Sequence, residues 1–489
     1  MLIYDIVPPK LKDTPKKRKV LKISFWALCI GVIFSFGLAI FLFLQSTQTT
    51  TASPDPGWLT GWSYRKKITI DETKVDADLT DFPVLVKLTS ANFDFTKALS
   101  TGYDIRFTSS DGTTLLKYER ERHDQANSLA EYWVKVPSVS GTVNTEFYIY
   151  YGNSGAADGA DPTAVWDANF KGVWHLKDKT STTIGDSTTN ANDGTKYAVN
   201  EPIEVDGKIG KAQSFDGVDD YVLVSHNASL NVSYITLEAW VNLVSWDDSG
   251  GVICKGTGGG GEAWCIDVYS NKFRFYFWKG GSAYILDSLT APSGWQHIVA
   301  TYDGTNTRFY VNGAETNSAA PAQGVLDTNT HEVSIGSRQS AAAAYDLNTK
   351  GLIDETSICN VARSAAWIKA SYNSGNDSLV SYGSEEVPNA APTNGAGSIT
   401  DMDDTDNIYA QRKWYSGSSV CSDADGFADI DYCEFRLKQG TDTRAIFRYD
   451  EDTNTFSTEL GSTEWDLDTG GSSATELGND ITITWKFKP

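Results

Sequence analysis

The chain has 489 residues, of which 12% are aromatic, and a net charge of -22. So much negative charge would repel a phosphate backbone, which excludes nucleic acid as a partner. The length exceeds what one hydrophobic core supports and predicts two to four domains. Thr, Gly, Asn, Tyr and Val are frequent and extended helical periodicity is absent, which predicts an all-β fold class.

The amino terminus combines a basic segment with an apolar run. Residues 1–22 hold seven lysines and arginines against two aspartates, a net charge of +5, and residues 23–44 hold no charged side chain. About 20 apolar residues span a bilayer as a helix, so we expect a transmembrane anchor at residues 23–45. A cleaved signal peptide is the alternative, although its apolar core is usually shorter, about 7–15 residues. The positive-inside rule then predicts a cytoplasmic segment 1–22 and a single-pass protein of the cell membrane, with the bulk of the chain extracellular.

Composition divides the rest of the chain into segments. A Ser/Thr/Pro linker at residues 46–57 gives way to short alternating strands, and a second linker, VPNAAPTNG, occupies residues 387–395. Strands at this spacing, with turn signals between them, predict tandem β-sandwiches. The acidic residues 396–489 include DADGFADIDYCEFRL, which resembles the early strands of bacterial immunoglobulin-like surface repeats. The chain stops in a strand-like segment, which predicts that this last domain is incomplete.

The first sandwich is predicted at residues 58–170. It and the residues just after it carry six segments in a fixed order: GWSYRKKITI, DFPVLVKL, YDIRFTSSDGTTLLKYERE, EYWVKVPSV, FYIYYGN and VWDANFKGVWHL. Together they resemble a prokaryotic cell-surface domain of unknown function, number 2341. The resemblance implies architecture and a surface location but no chemistry. It also implies that a laminin-G-like module follows.

Residues 171–386 fit that expectation. They carry KAQSFDGVDDYVLV, ITLEAWVNL, GWQHIVATYDGTNTRFYVNGAET, VSIGSR and GLIDETSICNVARSAAWIKASYN. These segments resemble the laminin-G-like branch of the concanavalin-A-like lectin/glucanase superfamily, which implies a jelly roll. The function does not follow, because this fold hosts lectins, adhesins, glycanases and structural modules. In the first segment we expect Phe215, Tyr221 and Leu223 on the buried face.

The turn FDGVDD in that first segment crowds three carboxylates. It is either a solvated turn or a site for a hard cation such as Ca²⁺. The laminin-G resemblance, and not the spacing, implies that this turn lies beside the late strand GLIDE. It therefore predicts one structural calcium ion bound by Asp216 and Asp354, with Asp219 and Glu355 as the next candidates.

One hairpin can be built from its residues alone. If Ser270 and Asn271 form the turn, the flanking strands pair so that every apolar residue meets an apolar partner on one face, and a one-residue slip would destroy the match. The opposite face then carries Asp267, Arg274, Tyr276 and Trp278. Such a polar and aromatic surface can stack a sugar ring and bind its hydroxyl groups. The alternative is a second layer covered by neighbouring strands.

Catalytic motifs are missing from the sequence. Glucanases of this superfamily carry a Glu-x-Asp-x-x-Glu run, and the nearest match, which begins at Glu204, lacks the final Glu. Asp354 and Glu355 are adjacent and should point to opposite faces of a strand. We therefore expect a non-enzymatic binding or adhesion protein that recognises an extracellular glycan or a surface protein. A structural envelope spacer and a divergent glycanase are the alternatives.

The cysteines predict two disulfides. Cys254 is close to Cys265 in the sequence, and Cys421 is close to Cys433. An exported location permits both bonds, although sequence cannot fix the pairing. Cys359 is left without a neighbour.

Overall fold

The computed structural model of the chain describes residues 2–11, 57–178, 181–197, 201–244, 250–258, 261–288, 293–321, 323–388, 393–394, 398–400, 414–423, 430–439, 442–462 and 465–488. The chain divides into two compact units, one of residues Gly57–Val387 and one that combines residues from both chain ends. Strands dominate both units, so the predicted all-β class is confirmed.

The strands are numbered in chain order. The first are β1 (Leu2–Leu11), β2 (Tyr64–Ile70), β3 (Leu79–Thr89), β4 (Arg106–Ser109), β5 (Tyr118–Asp124), β6 (Leu129–Val139), β7 (Thr145–Tyr151) and β8 (Phe170–Trp174). The next are β9 (Thr183–Ile184), β10 (Gly194–Tyr197), β11 (Ile203–Asp206), β12 (Lys211–Asp216), β13 (Tyr221–Val224), β14 (Ile235–Leu243), β15 (Gly251–Lys255), β16 (Trp264–Tyr269), β17 (Lys272–Lys279), β18 (Ser282–Asp287), β19 (Gln296–Tyr302), β20 (Thr307–Val311), β21 (Ala314–Ala319), β22 (Val333–Ile335), β23 (Ser337–Ala341), β24 (Ala344–Asn348) and β25 (Lys350–Cys359). The last are β26 (Val380–Glu386), β27 (Thr393–Asn394), β28 (Ser398–Thr400), β29 (Tyr415–Ser422), β30 (Ile430–Gln439), β31 (Asp442–Asp450), β32 (Thr455–Leu460), β33 (Asp466–Leu467), β34 (Ser473–Leu477) and β35 (Asp480–Lys488). The helices are α1 (Ala365–Gly375) and the short 3-10 turns Glu72–Lys74, Phe95–Lys97, Pro162–Ala164 and Ala228–Leu230.

Two antiparallel sheets, ordered β26-β2-β7-β4 and β3-β6-β5, form the first sandwich. Side chains alternate between the two faces of each strand, so Ile68 and Ile70 of β2 are buried while the intervening Thr69 is only partly buried. Inward side chains from both sheets share one core. The rings of Phe107 and Tyr118, for example, meet edge to face with centroids 5.3 Å apart.

The second sandwich has two larger sheets. The open sheet, as we call it, runs β18-β17-β16-β15-β22-β13-β10-β9, and the junction sheet runs β11-β12-β25-β14-β19-β20-β21 with β8 beside β25. Apolar side chains from both sheets fill one continuous core. In it the ring of Phe277 from the open sheet lies 4.8 Å from the ring of Tyr302 from the junction sheet.

The outer face of the junction sheet is covered by the first sandwich and by α1. Trp240 of β14 shares an apolar cluster with Leu85 and Trp133 of the first sandwich. The backbone N–H of Leu85 donates to Ser374 Oγ of α1 at 2.8 Å. After α1 the chain returns as β26 and pairs with β2, although the sequence placed β26 in the second domain. The outer face of the open sheet is therefore the one turned away from this contact.

The other unit contains the sheets β1-β30-β31-β32 and β27-β29-β35-β33, with β28 beside β29 and β34 beside β35. Its core includes Phe435, Phe447, Trp485 and Phe487. The immunoglobulin-like character of residues 396–489 stays a prediction.

Both predicted disulfides are confirmed. Cys254 is bonded to Cys265 between β15 and β16, and Cys421 is bonded to Cys433 between β29 and β30. Cys359 is free and buried.

Strand β1 bears on the predicted membrane topology. It pairs antiparallel with β30, with Leu2 opposite Gln439. Hydrogen-bonded strands lie on one side of a membrane, so this pairing and the predicted topology, with residues 1–22 in the cytoplasm and the remainder outside, are incompatible within one copy. The predicted anchor at 23–45 lies outside the described residues, and within the described part of the chain no helix has the length and apolar character to cross a membrane. The topology therefore stays a prediction.

Candidate functional site

Strands β16 and β17 form the hairpin that the sequence predicts, with the same register. Ile266 lies opposite Phe275, and both side chains belong to the core. The turn residues Ser270 and Asn271 have φ angles of 50° and 60°, as a two-residue type I′ turn requires. The outward residues of the hairpin include Asp267, Arg274, Tyr276 and Trp278, which form what we call the platform.

Asp267 is the charged centre of the platform, and its side chain is fully buried. It accepts hydrogen bonds from Arg274 Nε at 2.8 Å and Nη2 at 2.5 Å. Arg338, from the β23–β24 hairpin, lies 3.3 Å from Asp267 and donates to Glu262 at 2.9 Å. Burial raises the pKa of Asp267, and the hydrogen bonds and charge of Arg274 oppose that rise. Two acids and two arginines thus form a charge-balanced network within and beside the platform.

Two atoms of this network keep free hydrogen-bonding capacity. Glu262 Oε2 and Arg338 Nε are buried and have no hydrogen-bond partner within the described part of the chain. The carboxylate oxygen can accept a hydrogen bond, and the guanidinium N–H can donate one.

Tyr276 and Trp278 supply the aromatic part of the platform, and both rings are partly exposed. The indole N–H of Trp278 donates to the Tyr276 hydroxyl at 2.7 Å, which orients the two side chains. The guanidinium of Arg338 lies 5.2 Å from the centroid of the Tyr276 ring. Ile285, opposite Tyr276 on β18, is 56% exposed. A covering layer was the alternative interpretation, and the described residues leave this part of the sheet open.

A second aromatic group on the outer face of the open sheet was not predicted. Tyr197 and Tyr221 stack with ring centroids 5.3 Å apart, and Tyr345 stacks on Tyr221 at 4.4 Å. Tyr345 comes from the same β23–β24 hairpin as Arg338, so this hairpin contributes to both groups. No sequence signal within one strand could have joined these three rings, because they come from three different strands.

The prediction of a buried Tyr221 and Leu223 was wrong. Phe215 is buried as expected, but beyond the turn it is Val222 that enters the core, and its neighbours are only partly buried. The four residues 217–220 separate β12 from β13, so the alternation that begins at Phe215 does not continue across them.

The structure does not bring Asp216 and Asp354 together. The register places Asp216 opposite Lys350, so Asp354 lies four residues farther along β25. At about 3.3 Å per residue this is roughly 13 Å, too far for one ion. The adjacency that the resemblance implied is therefore wrong for this pair.

Asp216, Asp219 and Asp220 instead come together in the turn. One oxygen of each lies within 4.8 Å of the others. Asp220 is buried, its Oδ1 has no partner among the described residues, and burial raises its pKa to about 6. Calcium binding at this loop stays a prediction, now with Asp220 in place of the two residues of β25.

A β-bulge follows Asp354 and includes Glu355. Glu238 of β14 is opposite Ser357 and Trp240 is opposite Asp354, so two residues of β25 face one residue of β14. Glu355 occupies the left-handed region with φ 49°. Burial and the charge of Glu355 both raise the pKa of Asp354. The expectation that these carboxyl groups point to opposite faces was wrong, because the bulge breaks the alternation.

Buried charged side chains gather where the two sandwiches meet. The junction cluster, as we call it, consists of Glu119, Glu121, His175, Lys177 and Glu355. His175 Nδ1 lies 2.7 Å from Glu355 Oε2, and Nε2 lies 3.1 Å from Glu119 Oε2. Lys177 Nζ lies 2.5 Å from Glu121 Oε2. Local sequence patterns could not have predicted this cluster, because its members come from β5, from the segment that follows β8 and from β25.

The electrostatics of the junction cluster are strongly coupled. Burial lowers the pKa of His175, but the surrounding carboxylates outweigh it and raise that pKa well above its usual value. Burial likewise disfavours ionised Glu119, yet the charge of His175 holds its pKa at about 2. Burial raises the pKa of Glu355 to about 7.

The fold and the platform define a protein of tandem β-sandwiches with one open sheet face. Residues 216–369 match the sequence model of the concanavalin A-like lectin/glucanases superfamily. Residues 101–191 match the model of the domain of unknown function DUF2341. The chain therefore carries a DUF2341 domain followed by a concanavalin A-like domain, in the order that the sequence predicts.

Several solved structures resemble parts of the chain remotely. Domain 4 of AbnA, a GH43 extracellular arabinanase from Geobacillus stearothermophilus in complex with arabinotriose, is 18% identical, with 44% of this chain and 100% of that chain covered and a TM-score of 0.35. The binding domain of Paraclostridial Mosquitocidal Protein 1 is 12% identical, with 65% and 91% covered and a TM-score of 0.34. Trypanosoma rangeli sialidase in complex with the inhibitor DANA is 13% identical, with 50% and 40% covered and a TM-score of 0.31. Nothing about the chemistry of this chain follows from such remote likenesses. No curated protein matches the chain at a significant level.

Proposed function

We propose that the chain is a surface protein that binds carbohydrate through the platform. One observation carries the proposal: Tyr276 and Trp278 lie side by side, joined by a hydrogen bond and partly exposed, beside a buried network of acids and arginines. Aromatic faces pack against the apolar face of a sugar ring. The side chains of Arg274 and Arg338, which are 13% and 15% exposed, can donate hydrogen bonds to its hydroxyl groups. The family description, which groups lectins with glucanases, agrees with this function.

A glycan array probed with the full chain in detergent tests the proposal. The wild type should bind a defined class of glycans, and Trp278→Ala should lose that signal. Tyr103→Ala is the matched control, because Tyr103 is an aromatic residue of the first sandwich that is 40% exposed. If no glycan binds, the alternatives of a protein ligand or a structural spacer gain support.

We also propose that binding occurs without hydrolysis. A glycanase needs an acid and a second carboxylate that both face the scissile bond, about 5 to 10 Å apart. At the platform, Asp267 is held by Arg274 and Glu262 by Arg338, which leaves neither in the role of a proton donor. Release of reducing ends from a bound glycan would contradict this proposal and establish a divergent glycanase.

We propose that residues 23–45 anchor the chain in the cell membrane, with residues 1–22 in the cytoplasm. The support is the basic segment beside an uncharged apolar run. Protease added to intact cells should then remove everything beyond the anchor. In this topology β1 does not pair with β30 of the same copy, so protection of residues 1–22 from protease also tests that pairing. A mature protein that begins near Ala52 would instead establish a cleaved signal peptide.

A further inference from the structure

The junction cluster places metal-ligating atoms from both sandwiches together. Glu119 and Glu121 are two residues apart on β5, so their side chains leave the same face of the strand. Their ligand atoms and one of His175 all lie within 4.8 Å of one another, and the three residues are buried. Tetrahedral zinc ligands at about 2.1 Å from the metal are about 3.4 Å apart. Glu121 Oε2 lies 3.7 Å from His175 Nδ1, so the Glu121 carboxylate must rotate toward Nε2 to share an ion with it.

The imidazole of His175 is oriented as in a metal site. Nδ1 donates to the carboxylate of Glu355, and the nitrogen left for an ion is Nε2, which loses its proton when the ion binds. Nε2 lies 3.1 Å from Glu119 Oε2, the separation of two ligands of one ion. A histidine that binds a metal almost always donates its other ring N–H to a carboxylate, a carbonyl or a water. Glu355, held by the bulge, is in place to be that carboxylate.

The cluster also holds more acidic than basic groups. Together with Asp354 it has four carboxyl groups for two basic side chains. Glu121 Oε1 and Asp354 Oδ1 are buried and lack a hydrogen-bond partner in the described part of the chain. Buried carboxylates without compensating charge are costly, so a divalent cation would stabilise this arrangement.

We propose that Glu119, Glu121 and His175 bind one divalent transition-metal cation such as Zn²⁺, and that Glu355 orients His175. The nitrogen ligand favours such an ion over Ca²⁺ and Mg²⁺, which prefer oxygen ligands. The ion ties β5 of the first sandwich to the chain that leaves β8 at the junction sheet. It stabilises the folded state that binds it, and it is independent of the platform and of the calcium loop.

A surface cleft of about 320 Å³ gives access to the cluster, because Glu121 and Lys177 line it. Lys177 contacts Glu121 at the cleft and its side chain is 25% exposed. Lys177 can therefore swing toward water when an ion takes its place. Because its charge competes with the ion for Glu121, removing that charge should strengthen ion binding.

The test measures Zn²⁺ bound to the untagged full chain after it has been stripped with a chelator, reloaded and dialysed. One Zn²⁺ per chain should be retained. Glu119→Gln and Glu121→Gln should each lose the retained ion, because each removes a charged ligand, and Lys177→Met should tighten binding several-fold. Glu238→Gln is the matched control and should keep the ion, because Glu238 pairs with a buried histidine, His297, at 2.7 Å on the same sheet.

Failure to retain an ion overturns the proposal. The proposal is also overturned if Asp216→Ala loses the ion and Glu119→Gln keeps it, because the ion would then be bound at the calcium loop. If the glutamine variants do not fold, the visible absorption spectrum of Co²⁺ bound to the wild type tests the proposal instead. Intense visible absorption from a low-coordinate site with a nitrogen ligand supports the proposal, and the weak spectrum of oxygen-bound, six-coordinate Co²⁺ overturns it.

Discussion

Replacing each of two neighbouring residues of β17 with alanine should lower the free energy of unfolding by very different amounts. Phe275 is fully buried in the core of the second sandwich, with its ring centroid 5.0 Å from that of Phe277. Tyr276 faces outward, is partly exposed and accepts one hydrogen bond from Trp278. The register of the hairpin is the physical basis of this difference, and the same register places the platform.

The magnitudes follow from these surroundings. Truncating a buried phenylalanine removes its transfer energy and leaves a cavity, at a cost of about 3–5 kcal/mol. Truncating Tyr276 loses one hydrogen bond and part of an exposed ring, at a cost of about 1 kcal/mol. Denaturant unfolding of the full chain, followed by tryptophan fluorescence, measures both as shifts of the midpoint.

Equal shifts, or a larger shift for Tyr276→Ala, would refute the reasoning. A one-residue slip of β17 against β16 moves every side chain to the opposite face. Tyr276 would then lie in the core and Phe275 on the outside, and the platform would not exist.

Two further predictions concern ions and protons in the second sandwich. Ca²⁺ should raise the melting temperature of the wild type, by the equivalent of about 2.7 kcal/mol at a hundredfold excess over Kd. Asp216→Ala should abolish this response. Identical melting temperatures with Ca²⁺ and with chelator would show that the loop binds no calcium. Lys255 is fully buried, and burial lowers its pKa from 10.5 to about 8. Between about pH 8 and 10.5 the unfolded chain therefore binds a proton that the folded chain does not, so the wild type should gain stability relative to Lys255→Met as pH rises through this window. A stability difference that stays constant from pH 7 to 10.5 would show that Lys255 titrates normally.

Local sequence patterns correctly predicted the features that depend on pairing between strands close together in the chain. The hairpin around Ser270 and Asn271 has a two-residue turn and strict alternation, and only one register satisfies both. The two family resemblances likewise rest on segments whose order along the chain is visible in the sequence. The disulfide partners Cys254 and Cys265 are also local, because they lie on adjacent strands.

Long-range contacts and local irregularities could not be predicted from the sequence. The return of β26 to β2 joins residues about 300 positions apart, and neither strand carries a signal for the other. The left-handed Glu355 breaks an alternation that otherwise looks regular, so its carboxyl group was assigned to the wrong face. The junction cluster combines both difficulties, since it depends on that bulge and on the contact between the sandwiches.

Carbohydrate recognition by the platform is the central claim, and the affinity of one array-selected glycan for three chains tests it most directly. Trp278→Ala should weaken binding by about 2 kcal/mol, roughly 30-fold, as expected for a central aromatic contact. Trp278→Phe keeps a ring but loses the N–H bonded to Tyr276, so its affinity should fall between those of the wild type and the alanine variant. An affinity for Trp278→Ala equal to that of the wild type would contradict the account, because the glycan would then bind elsewhere on the protein.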